Sequence, residues 1–207
     1  MNTPYLVMYT EVYDRLLKLK QRIAGRSYTR SQFTNLFRRQ FNAANFVVKT
    51  HRDFAVDPDS VIISGLFDSY EYDNKQPSIT ITLSYHPEQY TYFVDLLNWK
   101  QLAFDLAECM GHEMVHMDQH AFGRAPALKK YRSSDEDQAY LGGDDEVEAY
   151  GFSIAAEQHA FKKPMQECVM YGVYCETFKM DTKVVNKLEK HVEQYHKELG
   201  TIYEQIN

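Results

Sequence analysis

The sequence predicts an α+β fold that is mostly helical, with a small β-sheet packed against one long helix. Three observations predict it. Apolar residues recur at three-and-four spacing through most of the chain, and one central stretch switches to strict alternation. After that stretch the helical pattern resumes and carries "GHEMVHMDQH" (residues 111–120) near its end. At 207 residues, 44% hydrophobic and 14% aromatic, the chain can bury a substantial core as a single domain spanning 1–207. Within it we read a basic helical segment at 1–48, a core at 49–165 and C-terminal helices at 166–207.

The elements follow in order. Tyr5, Leu6, Tyr9, Val12, Tyr13, Leu16, Leu17 and Ile23 trace one face of a helix over 5–24, which "GRSYT" breaks. Phe33, Leu36, Phe37 and Phe41 mark a second helix. "HRDFAVDPDS" then turns the chain away, so the pair lacks the third helix of a DNA-reading helix-turn-helix. "SVIISGLF" at 60–67 reads as a strand. "SITITLSY" at 78–85 reads as another, with Ile79, Ile81, Leu83 and Tyr85 on one face and a wet Ser/Thr face opposite. A long helix runs from the mid-90s to about Phe122, where Gly123 and Pro126 end it. A polar loop, "RSSDEDQAYLGGDD", leads to a helix from about Asp144 to Phe161. A last amphipathic helix starts at Asp181, and its stripe of Val184, Leu188, Val192, Tyr195, Leu199, Ile202 and Ile206 is too short for a coiled coil and packs on the body.

Charge and cysteine content narrow the setting. No apolar run approaches the roughly 20 residues of a membrane span, and the N-terminus lacks the order of a signal peptide, so we expect a cytoplasmic protein with no membrane partner. Three cysteines without a Cys-x-x-Cys argue against a disulfide framework or thiolate cluster, and Cys109 falls in the core. From Arg15 to Arg52 there are ten Lys or Arg and no Asp or Glu, so a chain of net charge −6 carries −16 on the remainder. Residues 15–52 therefore suit docking on the protein's own acidic half, an acidic partner or nucleic acid.

The chemistry lies in 111–120. His112 and His116 stand one helical turn apart, so their imidazoles project side by side and can share one cation. Glu113, next to the first and angled from the second, suits a general base that takes a proton from the attacking water. This H-E-x-x-H on a helix is a zinc-hydrolase motif. A hydrolytic zinc site takes three protein ligands. Geometry disfavours His120, since on an unbroken helix it lies about 12 Å along the axis from His112, and we read it as an outer partner or surface residue. A helix-breaking glycine with a histidine six residues after His116 is also absent, because that position is Phe122. No histidine lies between His120 and His159. The third ligand is then a carboxylate, and Asp144, Asp145, Glu146 and Glu148 are the candidates. All four also have an ordinary explanation in the positive end of a helix dipole.

"GHEMVHMDQH" together with "EVEAYGF" resembles the ImmA/IrrE family of bacterial and phage metallopeptidases, whose signature is H-E-L-G-H with a further histidine, then E-x-x-A-N-x-F-A some 25 to 30 residues on. The matching residues are His112, Glu113, His116 and His120, then Glu146, Ala149 and Phe152. Met114 and Val115 replace Leu-Gly, Tyr150 replaces Asn, and Ser153 replaces the final alanine. The resemblance implies a gluzincin-type site in which Glu146 joins His112 and His116 on Zn2+. It also implies a zincin-like fold whose sheet packs against the active-site helix, with "SITITLSY" as an edge strand that pairs with extended substrate. Tyr150, one turn beyond Glu146, is the first candidate oxyanion donor, with Tyr140 and Arg124 behind it. Asp105 and Glu108 share the face of His112 and are candidates to orient it.

Three functions compete. The first is a zinc metalloendopeptidase that hydrolyses peptide bonds of a specific protein, with the loop at 124–143 and the basic helices selecting substrate. The second is a zinc-containing binding or structural protein without turnover. The third is an interaction or nucleic-acid-binding module whose histidines are incidental. Glu113 favours the first over the second, because a purely structural site does not need a base.

Overall fold

Pro4 opens the first helix, where its missing N–H leaves nothing unsatisfied. A computed structural model of the chain describes residues 4–41, 46–69, 77–124, 136–179 and 181–206. The chain divides into two compact units, Met8–Glu113 and Met1–Val7 with Met114–Asn207.

In the unit Met8–Glu113, helix α1 (Pro4–Ile23) buries Val12, Tyr13, Leu16, Leu19 and Ile23 along one stripe, and Gly25 at φ 73° turns the chain out of it. Strand β1 (Ser27–Thr29) follows, in the "GRSYT" stretch that the sequence reads as the break between two helices and not as a strand. Helix α2 (Arg30–Arg38) starts on a capping box formed by Thr29 and Gln32 and ends before Phe41, which is nevertheless buried. Strands β2 (Phe46–Arg52), β3 (Val61–Asp68) and β4 (Ser78–Tyr85) form a sheet in the order β2-β4-β3, with β2 parallel and β3 antiparallel to β4. Strand β5 (Thr91–Phe93) pairs with β1. The alternation of "SITITLSY" holds, with Ile79, Ile81, Leu83 and Tyr85 fully buried. Its expected edge position does not. β4 is the central strand, bonded on both sides, and β3 is an edge.

The long helix, α3 (Trp99–Ala121), begins later than the mid-90s because a 3₁₀ turn occupies Val94–Leu96 and Asn98 Oδ1 accepts the Gln101 N–H at the true start. Trp99 anchors it, packing against Phe33 and Phe37 and donating its indole N–H to the Leu16 carbonyl at 2.8 Å. Strand β3 meets α3 at Gly65, where an added Cβ would stand 2.6 Å from Glu113 Cγ and 2.8 Å from Cys109 Sγ. Only glycine allows the backbone of the strand that close to the helix. Cys109 is buried as expected, and burial pushes its thiol well above the ordinary range.

In the second unit, α3 ends on a Schellman motif. Gly123, at φ 65°, donates to the His120 carbonyl and Arg124 to that of Gln119. Pro126 lies outside the described residues. Part of the expected polar loop is helix α4 (Glu136–Leu141), followed by α5 (Asp144–Phe161), α6 (Val169–Thr177) and α7 (Thr182–Ile206). α5 has the bounds that the sequence predicts. The stripe of Leu188, Val192, Tyr195, Leu199 and Ile202 on α7 is buried against α5, as expected for a helix packed on the body, while the side chain of Ile206 lies outside the described residues. Gly151 makes this packing close, since a Cβ there would stand 2.5 Å from that of His191. Among the described residues no helix is long and apolar enough to cross a membrane.

Candidate metal centre

His112 and His116 lie one turn apart on α3, and on α5 Glu146 is the third residue of the helix, just past the Gly142-Gly143 turn. His116 Nε2 stands 3.5 Å from Glu146 Oε1. One ligand atom from each of His112, His116 and Glu146 lies within 4.8 Å of the others. Four-coordinate zinc at bond lengths near 2.05 Å spaces its ligand atoms about 3.3 Å apart, so this group needs little movement to close on one ion. Two imidazole nitrogens and a carboxylate oxygen are a donor set that zinc accepts, and three protein ligands leave a fourth position open. His112 and Glu146 are buried, at 8% and 6% exposure. Burying such polar groups together is costly unless they are satisfied by one another or by a cation.

His120 is not in this group, as the helix rise requires. Glu113 extends to the sheet: its Oε2 accepts the Phe67 N–H of β3 at 2.7 Å. This bond, and the glycine at 65 that makes room for it, fix the carboxylate against the edge strand.

The four acidic candidates separate. Asp144 is exposed and pairs with Lys187 of α7. Asp145 offers its backbone carbonyl to Gln119. Glu146 joins the histidines. Glu148 receives Arg124 Nη1 at 2.9 Å, Gln119 Nε2 at 3.1 Å and the Tyr195 hydroxyl at 3.2 Å. Burial pushes the Glu148 carboxyl up, but the Arg124 and Gln119 hydrogen bonds and the Arg124 charge outweigh it and hold the group below its ordinary value.

Of the candidate oxyanion donors, Arg124 is engaged by Glu148 and by Asp118 at 2.6 Å. Tyr140 lies on α4. Tyr150 is half-buried on α5 with its ring edge-on to Tyr174, centroids 5.8 Å apart. Asp105 accepts Gln101 Nε2 at 2.7 Å. Residues 125–135 of the expected substrate-selecting loop lie outside the described residues.

The basic stretch is partly consumed at home. Arg30 Nη2 donates to the carbonyls of His86, Pro87 and Gln89, at 3.0, 3.0 and 2.7 Å, and Arg38 donates to that of Val48. These arginines dock on backbone carbonyls, not on the acidic half, while Arg15, Lys18 and Arg22 are exposed along one side of α1.

Sequence reading missed Gln119. It is 1% exposed, and its Oε1 lies 2.9 Å from His116 Nδ1. The available signal was its position three residues after His116, on the same helix face.

No protein-family model, no curated protein and no solved structure matches this chain.

Proposed function

We propose that the chain is a cytoplasmic zinc-dependent metallopeptidase with a zincin-like arrangement, in which His112, His116 and Glu146 hold the ion and Glu113 is the general base. The observation that carries this reading is the convergence of those three donors within 4.8 Å beside a glutamate adjacent to the first of them. When bound, zinc supplies the Lewis acidity that polarises the scissile carbonyl and makes water acidic enough to attack near neutral pH. Glu113 takes a proton from the attacking water on its carboxylate and delivers it to the departing amine nitrogen. The Phe67 N–H holds that carboxylate in one orientation, so little ordering is left for the moment of reaction. An extended substrate adds to the outer edge of β3, the edge strand that reaches Glu113, in the role first expected of β4. Tyr150 is the proposed oxyanion donor, and the exposed basic residues of 15–52, among them Arg15, Lys18 and Arg22 on α1 and Arg26, Arg39, Lys49 and Arg52 beyond it, are left for an acidic partner or nucleic acid.

A second reading, zinc binding without turnover, draws on the same hydrogen bond, which gives Glu113 a structural job tying α3 to β3. One variant separates the two. Glu113→Gln, purified without a histidine tag, is expected to keep stoichiometric zinc by elemental analysis while cleavage of an unfolded protein such as casein falls at least about a hundredfold. Wild-type protein without zinc would sink both readings, and equal cleavage by the variant would sink the peptidase.

A further inference from the structure

We propose that Gln119 is the positioning residue of the metal centre, fixing the tautomer of His116 and holding the helix that carries Glu146 in register with it. The proposal rests on the metal-binding reading above and goes beyond it to a residue outside the H-E-x-x-H motif. Gln119 is nearly inaccessible, at 1% exposure, yet both ends of its amide meet hydrogen-bonding partners. Its Nε2 lies 2.9 Å from the Asp145 carbonyl and 3.1 Å from Glu148 Oε2. Both neighbours are acceptors, so that end of the amide must be the NH2, and Oε1 is the end that faces His116. An acceptor 2.9 Å from Nδ1 requires the proton on Nδ1. The lone pair of neutral His116 is then on Nε2, the atom that stands 3.5 Å from Glu146 Oε1.

The same amide places the second helix. Asp145 immediately precedes Glu146, so the bond to its carbonyl fixes the backbone from which the carboxylate ligand projects. Glu148 is held from elsewhere: Arg124 binds both of its oxygens, and Tyr195, hydrogen-bonded at 2.9 Å to Tyr5, donates to one. Gln119 is therefore braced on the side away from the metal by a charged group that is itself clamped, as outer partners of metal-ligating histidines commonly are. The Schellman turn adds a further constraint, since the Gln119 carbonyl accepts the Arg124 N–H at 2.7 Å.

The test uses Gln119→Met, which fills the same space without hydrogen bonds, and Gln119→Glu, which keeps the acceptor for His116 but cannot donate to Asp145 and Glu148. Zinc ion is titrated into metal-free full-length protein in competition with a chromophoric chelator. Ring nitrogen shifts of His116 are read by NMR on metal-free protein at about pH 8, above the ordinary imidazole range. Gln119→Met is expected to weaken zinc binding by roughly 10–100-fold and to release His116 into a mixture of tautomers. Gln119→Glu should restore the Nδ1–H form and part of the affinity. A mere packing role would lower the melting temperature of Gln119→Met and leave zinc affinity unchanged, and that result overturns the proposal. So does an Nε2–H tautomer in wild-type protein. Wild-type protein that binds no zinc overturns the metal reading, whereas the nitrogen spectra test the Gln119–His116 contact without metal.

Discussion

Within one turn of α5 the acidic side chains meet different fates, whereas in the basic stretch at 15–52 the two half-engaged arginines meet the same one. Asp144 reaches outward to Lys187, Glu146 turns in to His116, and Glu148 is gripped by Arg124, Gln119 and Tyr195. Arg30 and Arg38 both end on backbone carbonyls. The difference is one of geometry. Successive residues of a helix fan out by about 100°, so a run of like charges at a helix start is distributed among unlike neighbours, and only one of them meets the histidines. An arginine beside a turn can reach several carbonyls at once with one end of its guanidinium, as Arg30 Nη2 does with His86, Pro87 and Gln89. A charge run is thus a poor unit of function, and the partner of each charge decides its role.

The sharpest way to break this comparison is to delete the acids one at a time and follow zinc. Glu146→Ala is expected to weaken zinc binding by more than the roughly 100-fold that loss of an outer partner costs. Glu148→Ala should fall within that 10–100-fold range, because it acts through Gln119, and Asp144→Ala should leave zinc affinity at the wild-type value. Chelator competition gives all three. If Glu146→Ala bound as well as Asp144→Ala, the sorting of the acids described above would be wrong.

The basic side gives the next largest effect, and in stability alone. Arg30→Ala removes one charged donor from three carbonyls of the 86–89 turn and from above the Tyr85 and Tyr90 rings, 5.8 and 5.7 Å away. A loss of about 2 kcal/mol is expected in urea unfolding, by the usual worth of hydrogen bonds from a charged donor. Exposed Arg22 makes a control, since Arg22→Ala should stay within roughly 0.5 kcal/mol. Equal effects at 30 and 22 would mean that the carbonyl clamp contributes nothing.

These contrasts also mark what was legible in the sequence. α5 was legible to the residue because Gly142-Gly143 and the acids mark its start, and the end of α3 was legible because Gly123 supplies the left-handed turn. β4 was legible because its alternation is complete. β2 was not: of its seven residues only Val48 is buried, so "FVVKTHR" shows no period. β1 and β5, at three residues each, are too short to carry one. α6 buries only Tyr174 and includes Gly172, which leaves no apolar stripe to read. At the site, His112, Glu113 and His116 are legible from spacing. Which acid lies beside them depends on the phase of a second helix against the first, a tertiary fact that residue spacing does not carry. Gln119 was illegible for a related reason: a buried polar residue becomes informative only when its partners are known.

The smallest effect concerns the far end of α5, where His159 lies in the last turn. If position on the helix decided the behaviour of a charge, the negative end of the dipole would favour the protonated ring and raise its pKa. The opposite holds. Burial disfavours the charged ring, and although its bond with the His196 carbonyl raises the pKa, the nearby His196 and Lys162 lower it, leaving His159 below its ordinary 6.5. The groups facing it are His196, stacked at 4.3 Å, and Tyr203, at 5.4 Å, both from α7, with Lys162 just past its own helix end. A histidine whose folded pKa is depressed binds its proton more readily when unfolded. Its contribution to stability is therefore lost as pH falls below about 6.5 and levels off beneath the folded value. Melting temperatures of wild type should decline between roughly pH 7 and 5, and His159→Gln, which cannot titrate, should decline less. Parallel profiles would show that His159 keeps an ordinary affinity for its proton, and that helix position had offset burial after all.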